Sequence, residues 1–291
     1  MDSYVHIGLG KTGSTFLQQN LFKEICKILN LELYVHDFKK EQANKNFLFS
    51  HENLVGEFFD YKTFEQAASE NLKNFGKQAK IIIIIRRPID YFSSYFSQSY
   101  HGYKIVSEKE FFKTEEEIKK NLTIDKYFAR YEKLDYQNLI KLYTEKFDNV
   151  YVVKYEDLKN LEIWSKIFNN KSIIDISFTD TYFNRSYSFY AIKLTFFIEK
   201  ILNIFGTNLF NIQKKVREIP QIKFIPSKIK ERLAYELRWR FFIQHRFDKI
   251  FPYKKYTIRN KKIKNFLKNK HDEFYNNYSS SFYKNDNKFI L

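Results

Sequence analysis

The segment Ile81–Ile85 is five isoleucines in a row. No polar residue alternates with them, so a strand built from them has no side for water. Such a strand belongs inside a parallel sheet covered by helices on both faces. The run stops at Arg86-Arg87-Pro88. Proline is tolerated in the first turn of a helix, so a helix is expected over Ile89–Tyr100.

The neighbouring segments keep the same rhythm. Tyr4–Ile7 is a short apolar run ending at Gly8. Ser14–Leu29 then carries Phe16, Leu17, Leu21, Phe22, Ile25 and Leu29 at helical spacing. Leu33–Val35, Phe47–Phe49 and Val150–Val153 read as strands. Phe64–Phe75 and Glu156–Phe168 read as helices, and Ile124–Phe147 as one long helix or a pair. Alternation of this kind predicts an α/β fold with a parallel sheet. Ligands of such sheets bind beyond the carboxyl ends of the strands. Gly8–Ser14, Ser50–Glu52, Arg86–Asp90 and Lys154–Asp157 would share that rim. After Trp164 the strand signals fade, and Tyr187–Phe205, Ser227–Phe247 and Lys261–Lys270 look helical. A length of 291 residues suits one domain, with 187–291 as a helical, basic C-terminal portion.

Composition removes several classes. The single cysteine, Cys26, cannot form a disulfide within the chain, and it lies on an apolar helical face. With no signal-peptide pattern, this points to a cytoplasmic protein. The apolar stretch Ala191–Phe210 is broken by Lys193, Glu199 and Lys200, so it reads as an amphipathic helix. The net charge is +16. Residues 213–270 hold 19 Lys or Arg against 4 Asp or Glu, which concentrates nearly all the excess there. Such a patch attracts nucleic acid, anionic lipid and acidic glycan alike. The stretch Ser227–Phe247, mixing basic with large apolar residues, suits peripheral contact with an anionic membrane or an acidic acceptor; a helix with a solvated basic face fits it equally.

The segment Gly8-Leu9-Gly10-Lys11-Thr12-Gly13-Ser14-Thr15 follows a strand and opens a helix. Loops of this type cradle anions with converging backbone N–H groups. Gly8, Gly10 and Gly13 match the dinucleotide pattern GxGxxG, and Glu32 lies about 20 residues on. That glutamate precedes its strand, however, and the loop adds a lysine and three hydroxyls suited to a more highly charged group. The nucleotide-triphosphate pattern GxxxxGK[ST] fails, because Lys11 precedes Gly13. A kinase should also place a magnesium-binding Asp after an apolar strand, and Arg86 occupies that position.

Lys11-Thr12-Gly13-Ser14-Thr15 resembles the 5′-phosphosulfate loop of sulfotransferases that use the nucleotide donor PAPS. Arg86-x-Pro88 with Ser94 and Phe96 resembles the 3′-phosphate motif of the same family, with Ser93 as the alternative if the register slips. Asn184-Arg185-Ser186-Tyr187-Ser188 is similar to a late segment of bacterial members. The resemblance covers roughly residues 4–100 and 148–190. It implies a P-loop-like three-layer sandwich with a central parallel sheet. It assigns Lys11, Thr12, Gly13, Ser14, Thr15, Arg86, Ser94, Arg185 and Ser186 to PAPS and its product PAP.

In that family the base that deprotonates the acceptor sits on a strand tip between the two anion motifs. Phe47-Leu48-Phe49-Ser50-His51-Glu52 fits this slot and resembles a Ser-Ser-Glu segment of bacterial carbohydrate sulfotransferases, with His51 replacing the second Ser. Glu52 is favoured and His51 is the alternative, with His101 a distant third; Lys11 would neutralise the leaving group. His6, inside the first strand, reads as structural. The implied acceptor is a glycan or glycolipid. Nucleic acid is disfavoured, because a nucleic-acid binder has no need of the Lys11–Thr15 loop. The competing expectations are a kinase or dinucleotide oxidoreductase, and a basic membrane- or nucleic-acid-binding protein. Oligomeric state is left open.

Overall fold

The computed structural model describes residues 2–35, 45–55, 63–102, 105–120, 128–178, 186–218, 239–284 and 287–291. Two compact units emerge. One comprises Met1–Tyr91, Lys113–Asn184 and Lys262–Leu291; the other comprises Phe92–Phe112 and Arg185–Lys261.

The first unit is an α/β fold around a seven-stranded sheet. Its strands are β1 (Ser3–Gly8), β2 (Glu32–Val35), β3 (Phe47–His51) and β4 (Lys80–Ile85). Two-residue strands β5 (Phe112–Lys113) and β6 (Ala129–Arg130) lie outside this sheet. It continues with β7 (Asn149–Lys154), β8 (Ser281–Lys284) and β9 (Asn287–Ile290). The order is β2-β3-β1-β4-β7-β8-β9. The first five members are parallel, and the β7–β8 and β8–β9 pairs are antiparallel.

All five isoleucines of β4 are buried, as a strand with two covered faces requires. Ile82 and Ile84 join Tyr4, Leu48, Tyr151 and Val153 beneath the helical stretch from Ser14 to Leu29 and the helix Leu161–Phe168. Ile81, Ile83 and Ile85 point to the opposite face, because side chains alternate along a strand. On that face Phe49 meets Phe75 with ring centroids 5.6 Å apart. Asn71, on the helix Phe64–Phe75, donates to the Tyr143 hydroxyl of the helix Tyr136–Lys146 (2.7 Å). Helices therefore cover both sides. Burying each isoleucine contributes about 1.5–3 kcal/mol, so this strand alone is a large part of the core's driving force.

Two expectations change. The sheet does not end at β7, since β8 and β9 extend it from the C-terminus. Of the stretch expected as helix over Ile124–Phe147, residues 124–127 lie outside the described residues, and the rest holds β6, a 3₁₀ turn and a helix from Tyr136. Residues 227–238 of the expected helix Ser227–Phe247 lie outside the described residues; Trp239–Phe242 is helical and continues into a π turn.

The second unit is helical. Ser188 caps the helix Phe189–Ile204 by accepting from the Ala191 N–H (3.1 Å), and its hydroxyl donates to Asp248 (2.8 Å). Phe96 packs against Phe111, Phe112 and Tyr256. The Glu108 carboxylate accepts the N–H groups of Arg259 (2.8 Å) and Asn260 (2.6 Å) and the Tyr256 hydroxyl. That explains how a carboxylate sits among aromatic rings.

Candidate functional site

β1 lies between β3 and β4, with Ile7 opposite His51 and Gly8 opposite Ile84. The loop after Gly8, Glu52 after β3 and Arg86 after β4 therefore leave adjacent strands at the same edge. From β1 the chain moves to the β2–β3 side, and from β3 it crosses to β4. Strand order reverses at β1, and open sheets of this kind bind ligands beyond the carboxyl ends of the strands at such a point.

The loop conformation follows from its residues. Gly13 has φ 92, and a Cβ there would meet Leu158 Cδ1 at 2.4 Å, so only glycine fits. Lys11 also lies in the left-handed region, at φ 71. For a residue with a Cβ this costs roughly 1–2 kcal/mol. Its carbonyl accepts a hydrogen bond from Arg86 Nη1 (2.6 Å), which helps hold that conformation. Thr12 is buried and its hydroxyl donates to the Leu9 carbonyl (2.6 Å), bracing the loop from inside. The Ser14 hydroxyl is buried without a hydrogen-bond partner among the described residues. Ser14 begins the helical stretch, so its leading N–H groups face the loop with the positive end of the dipole. Thr15 is half-buried.

Arg86 is 8% exposed. Its N–H donates to the Tyr136 hydroxyl (3.2 Å), and that hydroxyl donates to its carbonyl (2.7 Å). Its guanidinium lies over the Tyr155 ring, 4.2 Å from the centroid. Among the described residues Nε has no hydrogen-bond partner and no carboxylate pairs with this charge. Arg87 differs: its Nη2 lies 3.1 Å from an Asp272 carboxylate oxygen. The structure thus separates an arginine paired with a carboxylate from one without a carboxylate partner among the described residues.

On the other flank, buried His6 shares a 2.7 Å hydrogen bond between Nδ1 and Ser50 Oγ. Gln18 Nε2 donates to the same Oγ (3.0 Å). Burial drives the His6 pKa down to about 3, so the ring is neutral and joins β1 to β3 just below the rim. His51 is the last residue of β3, its ring stacked on Phe49 at 6.2 Å. Glu52 opens a 3₁₀ turn, which Asn71 fixes by donating to the Leu54 carbonyl (2.7 Å). The half-buried Glu52 carboxylate makes no hydrogen bond or ion pair among the described residues.

Ser94 is half-buried on the helix Pro88–Ser99, in the part belonging to the second unit. Ser93 is buried there, and its Oγ accepts the Ile258 N–H (3.1 Å), a structural use. Also in that unit, Ser186 Oγ lies 3.3 Å from the Tyr253 hydroxyl and His101 lies against the Tyr187 ring. Arg185 lies outside the described residues.

The rim segment Lys154–Asp157 is built differently from expectation. The helix expected from Glu156 starts only at Leu161, after a 3₁₀ turn over Tyr155–Asp157. Asn160 caps it by accepting from the Glu162 N–H (3.1 Å). Asp157 accepts from Ser280 Oγ (2.6 Å) and Glu156 from the Tyr275 hydroxyl. Lys154 Nζ donates to the Tyr275 and Tyr278 carbonyls, both at 3.2 Å. The segment is therefore a clasp for the C-terminal residues. Tyr136 and Tyr155, which set the Arg86 peptide and guanidinium, carry no local sequence signal for that role.

Neither a family model nor a curated protein matches the chain. Among solved structures, the chain is similar to a sulfotransferase from Alicyclobacillus acidocaldarius, at 16% identity and TM-score 0.43, covering 70% of this chain and 93% of that one. It is also similar to the PezAT chromosomal toxin–antitoxin system of Streptococcus pneumoniae, at 9% identity and TM-score 0.29, covering 62% and 81%. These scores are too low to carry an argument about fold or activity.

Proposed function

We propose that the chain is a sulfotransferase that moves sulfonate from PAPS to a hydroxyl of a glycan or glycolipid. One observation carries this: a buried, unneutralised Arg86 hydrogen-bonded to the backbone of the Lys11 loop, at the strand ends where strand order reverses. A guanidinium and a lysine-bearing loop on adjacent strand ends suit a ligand with two separate anionic groups. Lys11, Ser14 and Thr15 would hold the 5′-phosphosulfate, with Thr12 and Gly13 shaping the loop. Arg86 would take the 3′-phosphate. Ser94, Ser186 and Arg185 keep their expected parts on sequence grounds alone.

Glu52 would remove the acceptor's proton as its oxygen bonds to sulfur. The sulfur–oxygen bond to the 5′-phosphate breaks, and Lys11 neutralises the charge left on that oxygen. The open Glu52 carboxylate supports it over His51, whose ring stacks within β3. Against the dinucleotide alternative, Glu32 stands at the first residue of β2 and pairs with Lys45 (2.5 Å), at the wrong end of the strand for a ribose. A cytoplasmic setting is the proposed location.

Titration with PAP, ATP and NADH tests the donor class. PAP at 100 times its Kd should stabilise the chain by about 2.7 kcal/mol, read as a higher Tm. Labelled sulfonate transfer from PAPS to a glycan panel then tests the reaction, and Lys11→Ala should abolish most of it. No Tm shift with millimolar PAP, alongside a shift with NADH or ATP, would replace this reading.

A further inference from the structure

Helix Phe189–Ile204 buries Ala191, Ile192 and Thr195 on its inner side. On its outer side Tyr190, Lys193, Phe197, Lys200 and Ile204 are all exposed. Their spacing of three, then four, then three, then four puts them on a single stripe. A water-facing helix should be polar there. Instead Phe197 is 60% exposed, Ile204 81%, and the next residue, Phe205, 77%. At the other end the Phe251 ring lies 6.2 Å from Tyr190 and carries the surface on to Ile250, 76% exposed. Large apolar residues exposed together along one helix face mark an interaction site rather than scatter.

Charge selects the partner. The stripe itself bears Lys193 and Lys200 and no acid. Glu199, beside it, accepts the Leu209 N–H (2.8 Å) and is engaged in the start of the next helix. The lysine ammonium groups lie against rings, Lys193 over Phe189 at 4.6 Å and Lys200 over Phe196 at 4.9 Å, so the cations flank the apolar groups closely. Two copies of this helix paired by a two-fold axis near Phe197 would set lysine against lysine with no acid between them. A sheet of anionic headgroups over hydrocarbon accepts both parts of the stripe.

We infer that the outer face of Phe189–Ile204, continued by Phe205, Ile250 and Phe251, docks on an anionic membrane surface. The helix lies in the interface plane, with aromatic and aliphatic groups at the acyl boundary and lysines at the phosphates. Among the described residues no helix is long and apolar enough to cross a membrane, so the contact is peripheral. These residues are not those of Ser227–Phe247, where the basic pattern first suggested such contact. The contact does not depend on the donor assignment.

The test is co-sedimentation of the full chain with phosphatidylcholine vesicles, with and without phosphatidylserine, at low and high salt. Binding should require phosphatidylserine and weaken with salt. Lys193→Gln and Lys200→Gln should each lower the partition coefficient about fivefold, corresponding to about 1 kcal/mol per lysine. Phe197→Ser and Phe205→Ser should each lower it about tenfold, the order expected for losing a large apolar contact. Tm should stay at the wild-type value in all four, because these side chains are exposed. The proposal fails if the wild-type chain ignores phosphatidylserine vesicles at low salt, or if the four variants bind like it. It also fails if sedimentation velocity shows a dimer that Phe197→Ser dissolves, which would make the stripe a self-association face.

Discussion

Arg86 is costly where it stands unless an anion joins it. A ring face and one carbonyl do not neutralise a full charge at 8% exposure, and an uncompensated buried charge costs several kcal/mol. Removing it should therefore cost function and not stability. Arg86→Met should leave the Tm of the ligand-free chain unchanged or higher. The same substitution should weaken PAP by about 2–4 kcal/mol, the range for stripping one partner from a desolvated charge pair. Thermal melts with and without PAP measure both. A ligand-free Tm that drops sharply would make Arg86 a structural brace for the Lys11 carbonyl. Glu52→Gln separates chemistry from binding at the neighbouring strand tip. It keeps the shape of the side chain and removes its basicity, so PAP affinity should persist while turnover falls about 10²–10⁴-fold. If His51→Ala produces that loss and Glu52→Gln does not, the base is the histidine.

At the scale of elements, what could be read from sequence was what is local. The isoleucine strand, the glycine loop and the Arg86–Pro88 stop each lie in one short window, and their sheet edge follows from strand–helix alternation. The C-terminal strands were not legible, for a physical reason. Every residue of β9 is exposed, so it has no buried alternation to detect, and β8, besides its neighbour β9, is held by β7 more than a hundred residues away. Phe282 stacks on Tyr151 at 4.5 Å. Ser280 Oγ accepts the Lys154 N–H (3.0 Å) and donates to Asp157 (2.6 Å). The same limit hid Tyr136, whose hydroxyl reaches an arginine peptide fifty residues back. Ser280 is the joint between the rim segment and these strands. Ser280→Ala leaves a carboxylate and an N–H without that partner, which should cost about 1–3 kcal/mol in urea unfolding. A change within a few tenths would mean that water replaces the hydroxyl and that the strands are held by the aromatic stack alone.

The whole molecule carries a net charge of +16, so it can ill accommodate further protons, and its buried histidines resist them. Burial lowers His6 to about 3, and burial aided by the neighbouring Lys270 lowers His271 to about 4. An unfolded histidine titrates near 6.5. A base whose folded pKa is depressed contributes stability that is fully present above its unfolded pKa. That contribution is lost as pH falls from about 6.5 toward the folded value. In this window the unfolded chain binds up to two more protons than the native one from these two rings. Each proton gives a slope of about 1.4 kcal/mol per pH unit, together nearly 3, against a total stability of only about 5–15 kcal/mol. The chain should therefore be acid-labile well above the carboxylate range. Urea unfolding between pH 4.5 and 7.5 measures the slope. His6→Asn, which retains a polar group near the Ser50 hydroxyl but cannot titrate, should remove about one proton from it, whatever it does to stability at neutral pH. An unchanged slope in His6→Asn would mean that water or a proton reaches the ring in the folded state, and that the link between β1 and β3 opens before the molecule unfolds.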